Sequence, residues 1–533
     1  MAFAGKINNR ENIKYLILFL LILVLAVFIR VWRFGEVPAG MNQDGAMAAV
    51  DAKALSQYGT DRFGMRLPVH LTAWGFGQMS ALLSYLMAPF IRLFGLTVTA
   101  ARLPLLLTSL AGLLCLWLFT RQACGIADAL IVLAFAAICP WHILQSRWAL
   151  DCNLFPHFLM MGCCLLLYGA ERGKAAFTLL SMVFFGLSMY CYGISIYTVP
   201  LLLLLCCICL LRRKLLSWST AIFSAAVYIL IAWPFITCMI INTFSLQSIE
   251  TPLFTIPYFP YSMRSADILF FSDAPFVQLG ANARSLLCIL IQRYNGAVCN
   301  EVKGFGTLYA ISLPFMAIGG IATVRQARKN TGCLLCSLWF VTALLCGLIT
   351  ANVNINRINI IFYPLIFFTG MGIRLTIKLL SRCGKWRAAI GVLPVIYAVL
   401  FLLFAKAYFT TYAEEVADAF MADFAEALTA VKDTDADTIY ISPDAQYKGF
   451  AHVSEILTLF WHDTDAADYQ DGSFQDKYRF AIPEVPDAEE NAVYVASQAD
   501  TERFPAALFD VEDHGKFFVA APKGKIMIDE SLQ

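Results

Sequence analysis

The sequence predicts a polytopic α-helical membrane protein with a large first outer loop and a small soluble α/β domain at its C-terminal end. Three observations carry that expectation. Of the 533 residues, 59% are hydrophobic and only 14% charged, whereas soluble domains are about half apolar and a quarter charged. Apolar runs of spanning length, about 17–25 residues, recur between positions 15 and 409. Charge is also segregated: from Tyr412 onward there are 26 acidic and 8 basic side chains, against 12 and 31 before it. No basic stripe marks a soluble face, so nothing points to nucleic acid.

The runs lie near 15–33, 103–121, 125–141, 154–170, 175–192, 196–211, 219–241, 305–323, 331–351, 359–378 and 388–409, which predicts about eleven spans. Lys6, Arg10 and Lys14 precede the first, placing the N-terminus in the cytoplasm by the positive-inside rule. The first run is long and no small-residue cleavage site follows it, so it reads as a retained span. If 78–95 lies in the interface as an amphipathic helix, the later clusters around Arg121, Arg172, Arg212, Arg325 and Lys378 also fall inside; if it crosses, all of them flip. The expected organisation is a membrane domain over 1–411, with its first outer loop at 35–102, and an extracytoplasmic domain over 412–533 of a multi-pass plasma-membrane protein. A second apolar piece at 284–293 is too short to cross.

In the tail, AEEVADAFMADFAEALTAVK reads as one helix, followed by a strand at 437–442 and a helix around 452–461. Weaker strands follow near 478–482, 492–496 and 516–520, an alternation that suggests an α/β module. The 17 cysteines sit mostly inside apolar runs, where Cys behaves as a small hydrophobe. Cys333 and Cys336 form a CxxC without a second pair, so no metal site is indicated.

The chemistry-bearing residues cluster on the outer loops. Asp44 and Asp51 are two helical turns apart and would share a face. A carboxylate at a low-dielectric surface is costly unless paired or used, so Asp44 suits a general base; it also suits a helix N-cap. Asp51 and Asp61 lean towards structural duty. In CPWHILQSRWALDCNLFPHF, Arg147 and Asp151 are four apart, which on a helix makes an ion pair or a phosphate-binding Arg147 beside a catalytic Asp151. His142 and His157 flank that loop without zinc spacing. Arg357, in ANVNINRINIIFYP, stands at an outer mouth and suits an anionic ligand. Arg62, Arg66, Arg102, Arg284, Arg293 and Lys303 are outer cations that run against the positive-inside trend, as an anionic lipid-linked substrate would require. Tyr190, Tyr192 and Tyr197 read as an interfacial belt.

In order along the chain, DGAMAAVDAKAL, GTDRFGMRLPVHL, LSYLMAPFIRLFGLTVTAARLP, CPWHILQSRWALDCNL, LSMYCYGISIYTVPLLLL and NINRINIIFYP resemble the polytopic GT-C glycosyltransferases. The bacterial family 39 type, similar to protein O-mannosyltransferases and the lipid A aminoarabinose transferase, is the nearest match, and the resemblance covers most of 15–410. It implies the GT-C fold and an inverting transfer of a sugar from a polyprenyl-phosphate donor to a lipid, glycan or protein acceptor at the outer membrane face. By position, Asp44 matches the first-loop catalytic aspartate and Asp151 the acidic residue of the second outer loop. Arg147, Arg357, Arg66, Arg102 and Asp51 are then the expected substrate contacts. Two departures stand out: relatives show Asp-Glu where this chain has Asp44-Gly45, and a lysine where it has GFGQMSALL. No cofactor is identified; a divalent metal is left open, with no ligand spacing to indicate one. The readings from other classes are a transporter or flippase of a lipid-linked precursor, which wants charges buried mid-span, and a non-catalytic sensor or scaffold.

Overall fold

The structure, a computed structural model, describes residues 9–74, 77–260, 274–292, 296–350, 352–382, 387–444 and 452–524; Lys6 and Arg293 lie outside them. In chain order the elements are α1 (Asn9–Val31), α2 (Gln43–Tyr58), β1 (His70–Thr72), β2 (Gln78–Ser80), α3 (Leu82–Phe94), α4 (Val98–Cys124), α5 (Ile126–Ile138), α6 (Pro140–Gln145) and α7 (Asp151–Arg172). Next come α8 (Ala175–Ser188), α9 (Ser195–Arg212), α10 (Trp218–Thr243), β3 (Ile249–Glu250), β4 (Thr255–Ile256), α11 (Pro275–Leu290), α12 (Leu313–Gln326), α13 (Thr331–Ile349), α14 (Phe362–Arg382) and α15 (Arg387–Phe409). The tail adds α16 (Thr411–Ala419), α17 (Ala422–Ala430), β5 (Thr438–Ile441), α18 (Val453–Trp461), α19 (Ala466–Asp471), α20 (Ser473–Lys477), β6 (Tyr478–Arg479), β7 (Ala492–Ser497), β8 (Phe509–His514) and β9 (Phe517–Pro522).

Two compact units emerge: Met1–Phe34, Leu105–Thr237 and Met263–Tyr412 form the first; Gly35–Pro104, Cys238–Ser262 and Ala413–Gln533 form the second. In this division the first outer loop, expected with the membrane helices, groups with the tail. The reason is local chemistry. Lys53 Nζ, on α2, pairs with Asp463 at 2.7 Å, and the Tyr58 hydroxyl donates to Asp465 at 2.7 Å, so the loop helix is pinned to the segment after α18.

In the first unit, eight helices among the described residues are long and apolar enough to cross a membrane; the chain is a multi-pass membrane protein. Three of the eleven expected runs form helices shorter than that length. α5, α8 and α12 have 13, 14 and 14 residues, which is about 20 Å at 1.5 Å per residue against a hydrocarbon core of about 30 Å. Proline explains two of these lengths. Cys139 turns extended ahead of Pro140, ending α5, and α12 carries proline in its first turn, where the missing N–H costs nothing. α12 and α14 pack backbone to backbone: a Cβ on Gly319 would overlap the Phe368 carbonyl, and one on Gly372 the Phe315 carbonyl, the small-residue contact that membrane helices favour.

The second unit holds the tail's five-stranded sheet in the order β6-β5-β7-β9-β8. β5 runs parallel to β6 and β7, and β9 antiparallel to β7 and β8. Every residue of β7 is buried, as its unbroken apolar AVYVAS run requires of a covered central strand. β8 has no counterpart in the sequence expectation: FDVEDH is mostly polar, and three of its six side chains are exposed at the sheet edge. The expected single helix after Tyr412 is broken into α16 and α17 at Met421, whose φ is 54°. The Phe420 carbonyl accepts the Met41 N–H at 2.8 Å, a long-range bond that takes this carbonyl out of a continuous helix.

Candidate active site

Asp44 lies on α2, whose N-cap is Asn42 and whose first turn it occupies. It is therefore not the cap; it sits where the unpaired N–H groups and the helix dipole favour an anion. The side chain is half-buried, and Trp74 Nε1–H donates to its Oδ1 at 2.6 Å. Among the described residues the second carboxylate oxygen has no protein partner, which leaves it able to take a proton.

Trp74 is held in place by a chain of contacts that ends on Asp51. Arg62 donates to Asp51 from Nη1 at 2.7 Å and from its backbone N–H at 3.1 Å. Its Nη2 donates to the carbonyls of Thr72 and Ala73 at 3.0 and 3.2 Å, the two residues that lead directly into Trp74. Asp51 and Arg62 are 0% and 3% exposed. The expected substrate contact at Asp51 is thus corrected: its oxygens are filled by Arg62, because a fully buried carboxylate needs a paired charge. Asp61, 1% exposed, accepts the backbone N–H groups of Phe63 and Met65 at 3.0 and 2.8 Å. Burial, and then the charge of Asp51, push its carboxyl up to about 7.

Two further arginines expected on substrate have their terminal nitrogens taken up by carbonyl oxygens. Arg102, fully buried, donates to Gly35, Pro38 and Gly40 at 3.3, 2.8 and 2.8 Å, which shapes the turn that leads into α2. Arg147 is likewise corrected. Residues 146–150 are not helical, so Arg147 and Asp151 do not share a helix. Its guanidinium donates to the carbonyls of Ile29, Arg30 and Arg33 at 3.1, 2.7 and 2.9 Å, and to the Tyr408 hydroxyl at 3.0 Å. A helix end leaves carbonyls unsatisfied and partly negative, and α1 ends here, so Arg147 serves as its cap. Arg66 is exposed and Arg357 half-buried; the Arg357 backbone N–H donates to Asn354 Oδ1 at 3.0 Å. Arg284 and Lys303 are exposed.

Asp151 opens α7 and is 4% exposed; the Cys152 N–H donates to its Oδ1 at 2.7 Å. The turn that carries it is clamped by Asn359, a residue that sequence reasoning did not single out. Asn359 Nδ2 donates to the Cys152 carbonyl at 3.2 Å and to Asn153 Oδ1 at 3.1 Å, while Trp141 Nε1–H donates to Asn359 Oδ1 at 2.6 Å. The only advance signal was the asparagine-rich stretch around Arg357. His142 and His157 are buried in a neighbouring cluster: Arg30 Nη2 donates to His142 Nδ1 at 3.0 Å, and both rings reach the Tyr363 hydroxyl, at 3.2 and 2.9 Å.

No protein-family model and no curated protein matches this chain. Solved structures do. ArnT from Cupriavidus metallidurans in the apo state aligns with a TM-score of 0.55 at 12% identity, over 96% of this chain and 98% of that one. The same protein bound to undecaprenyl phosphate aligns at 0.56 and 13% identity, with the same coverage. An Archaeoglobus fulgidus oligosaccharyltransferase in complex with Zn and sulfate aligns at 0.50 and 15% identity, over 83% of this chain and 61% of that one. The chain has the GT-C fold.

Proposed function

We propose that this protein is an inverting glycosyltransferase that moves a sugar from a polyprenyl-phosphate donor to an acceptor hydroxyl at the outer face of the plasma membrane. The observation that carries the reading is Asp44: a half-buried carboxylate in the first turn of α2, with one oxygen fixed by Trp74 and the other open. In this reading Asp44 takes the acceptor's hydroxyl proton, the acceptor oxygen bonds to the anomeric carbon, and the bond from that carbon to the phosphate oxygen breaks. Polyprenyl phosphate leaves as an anion. Phosphate is a tolerable leaving group, so base and positioning supply most of the acceleration. Asp151 is proposed as a second catalytic carboxylate, and Arg357 and Arg66 as cations for the donor phosphate. The near full-length likeness to a protein whose structure holds undecaprenyl phosphate supports a lipid-linked donor. The N-terminus is assigned to the cytoplasm, and the tail to the outer side, from the distribution of basic residues. α3, with Leu93 and Phe94 exposed, is assigned to the membrane interface.

The test is release of polyprenyl phosphate from radiolabelled polyprenyl-phosphate hexoses by the purified protein in lipid, beside Asp44→Asn. Turnover is expected to fall by about 100- to 10,000-fold in the variant, the usual contribution of a positioned base. Near-normal turnover by a folded Asp44→Asn protein would remove Asp44 from the mechanism.

A further inference from the structure

The second unit contains a cleft of about 190 Å³ to which the chemistry above assigns no ligand. One wall comes from the first outer loop, through Phe63 and Trp74; the other comes from the tail, through His452, Glu455 and Ile456 of the α18 region and Tyr469 of α19. Ligand pockets for drug-sized molecules are about 300–1,000 Å³, so this one has room for a single small ring. Its aromatic content is high. Phe63 is 48% exposed and meets Tyr469 edge-on at 5.7 Å, and Trp74 forms the end nearest α2.

The carboxylate in the cleft accepts hydrogen bonds. Glu455 Oε1 takes the Tyr469 hydroxyl at 2.7 Å, and its Oε2 stands 3.6 Å from His452 Nδ1, with side-chain exposures of 28% and 55%. That carboxylate keeps lone pairs for a ligand's hydroxyl groups. An anion is disfavoured here. The one arginine in the lining, Arg62, has both terminal nitrogens committed to Asp51, Thr72 and Ala73, while Glu455 repels negative charge. A ring with apolar faces and several O–H donors satisfies both halves of the cleft: the faces lie on aromatic side chains, and the hydroxyls point to Glu455 and His452.

We infer that this cleft is a carbohydrate-binding subsite that accepts one neutral pyranose unit. The Trp74 side chain that forms its wall is the one that donates to Asp44, so a sugar held there lies next to the proposed base. That makes the acceptor a glycan or glycolipid, a sugar chain anchored at one residue while a hydroxyl is glycosylated. The acceptor assignment rests on the transferase reading; the binding of the sugar does not.

The experiment is saturation-transfer difference NMR on the full-length protein in lipid nanodiscs, with methyl glucoside, methyl mannoside and methyl galactoside as probes. At least one is expected to receive saturation from the wild type. Phe63→Ala, on an exposed side chain, and Glu455→Gln, isosteric and still able to accept from Tyr469, are each expected to weaken that binding about tenfold, the effect of losing a stacking face or a charge-assisted hydrogen bond. Inorganic phosphate is expected not to compete. Equal signals in all three proteins, no signal from any hexoside, or displacement by phosphate would overturn the subsite. Donor turnover is measured on the same samples. Hexoside binding that depends on Phe63 without any turnover would leave the subsite standing and remove the transferase; turnover without hexoside binding would do the reverse.

Discussion

Replacing Arg62 by Met tests the contact chain that positions Trp74. The substitution keeps an unbranched stem and removes the charge from a site that is 3% exposed. It strips Asp51, 0% exposed, of the 2.7 Å contact and leaves one backbone N–H on a buried carboxylate. Removing one partner of a buried pair costs about 3–5 kcal/mol, mostly for the charge left behind. At about 2–4 °C per kcal/mol for a unit of this size, the unfolding midpoint followed by scanning fluorimetry in detergent drops by roughly 6–20 °C. The double variant Arg62→Met with Asp51→Leu removes both charges and is expected to recover most of that loss, since buried pairs are often replaceable by apolar residues. Turnover is not expected to recover with it, because the carbonyls of Thr72 and Ala73 remain without their donor and Trp74 is no longer held. A single variant within about 1 kcal/mol of wild type, or a double variant as unstable as the sum of the singles, would refute the reasoning.

Trp74→Phe keeps an aromatic side chain and removes the N–H on Asp44; losing a hydrogen bond to a charged group, about 1.5–3 kcal/mol, is expected to lower kcat about 10- to 100-fold with KM little changed, read in the same donor-release assay. Asp61, with its carboxyl raised to about 7 from an unfolded value near 4, binds a proton more readily folded than unfolded. Its contribution to stability is therefore complete below about pH 4 and is lost as pH rises to about 7, with a slope on the order of 1 kcal/mol per pH unit. Asp61→Asn is expected to flatten that slope in unfolding midpoints measured from pH 4 to 8. Arg147→Met is expected to lower the midpoint by the equivalent of about 3 kcal/mol, since the carbonyls at the end of α1 lose a charged donor, while donor binding by the surviving folded protein stays unchanged. An unchanged midpoint with weakened donor binding would return Arg147 to the phosphate.

Much of the architecture was legible in the chain because it depends on local composition. Hydropathy places the membrane helices, since a backbone in lipid must satisfy its own hydrogen bonds and so must be helical wherever the side chains are apolar. The alternating pattern of the tail, and the singular position of Asp44 at the head of an alanine-rich helix, were also visible, as periodicity and charge scarcity are properties of neighbouring residues. Length was less so: α5, α8 and α12 stop short where proline or a turn intervenes. What only the tertiary structure decided are the pairings between residues far apart in sequence. Arg147 looked like half of an i,i+4 ion pair, yet it caps α1 more than a hundred residues away, because no helix forms around it. Asp51 leaned towards structural duty by its own pattern and was a substrate contact only by resemblance; that its partner is Arg62 was not legible. Asn359 stood in an asparagine-rich stretch that gave it no particular role, because the groups it clamps, at 152 and 153, come from another helix. Met421 interrupts what reads as one helix because Met41 claims the carbonyl beside it. The cleft at Glu455 joins a loop near residue 63 to a helix near residue 455. Sequence periodicity records what a residue needs from its own helix or strand; which distant group meets that need is settled when the chain packs.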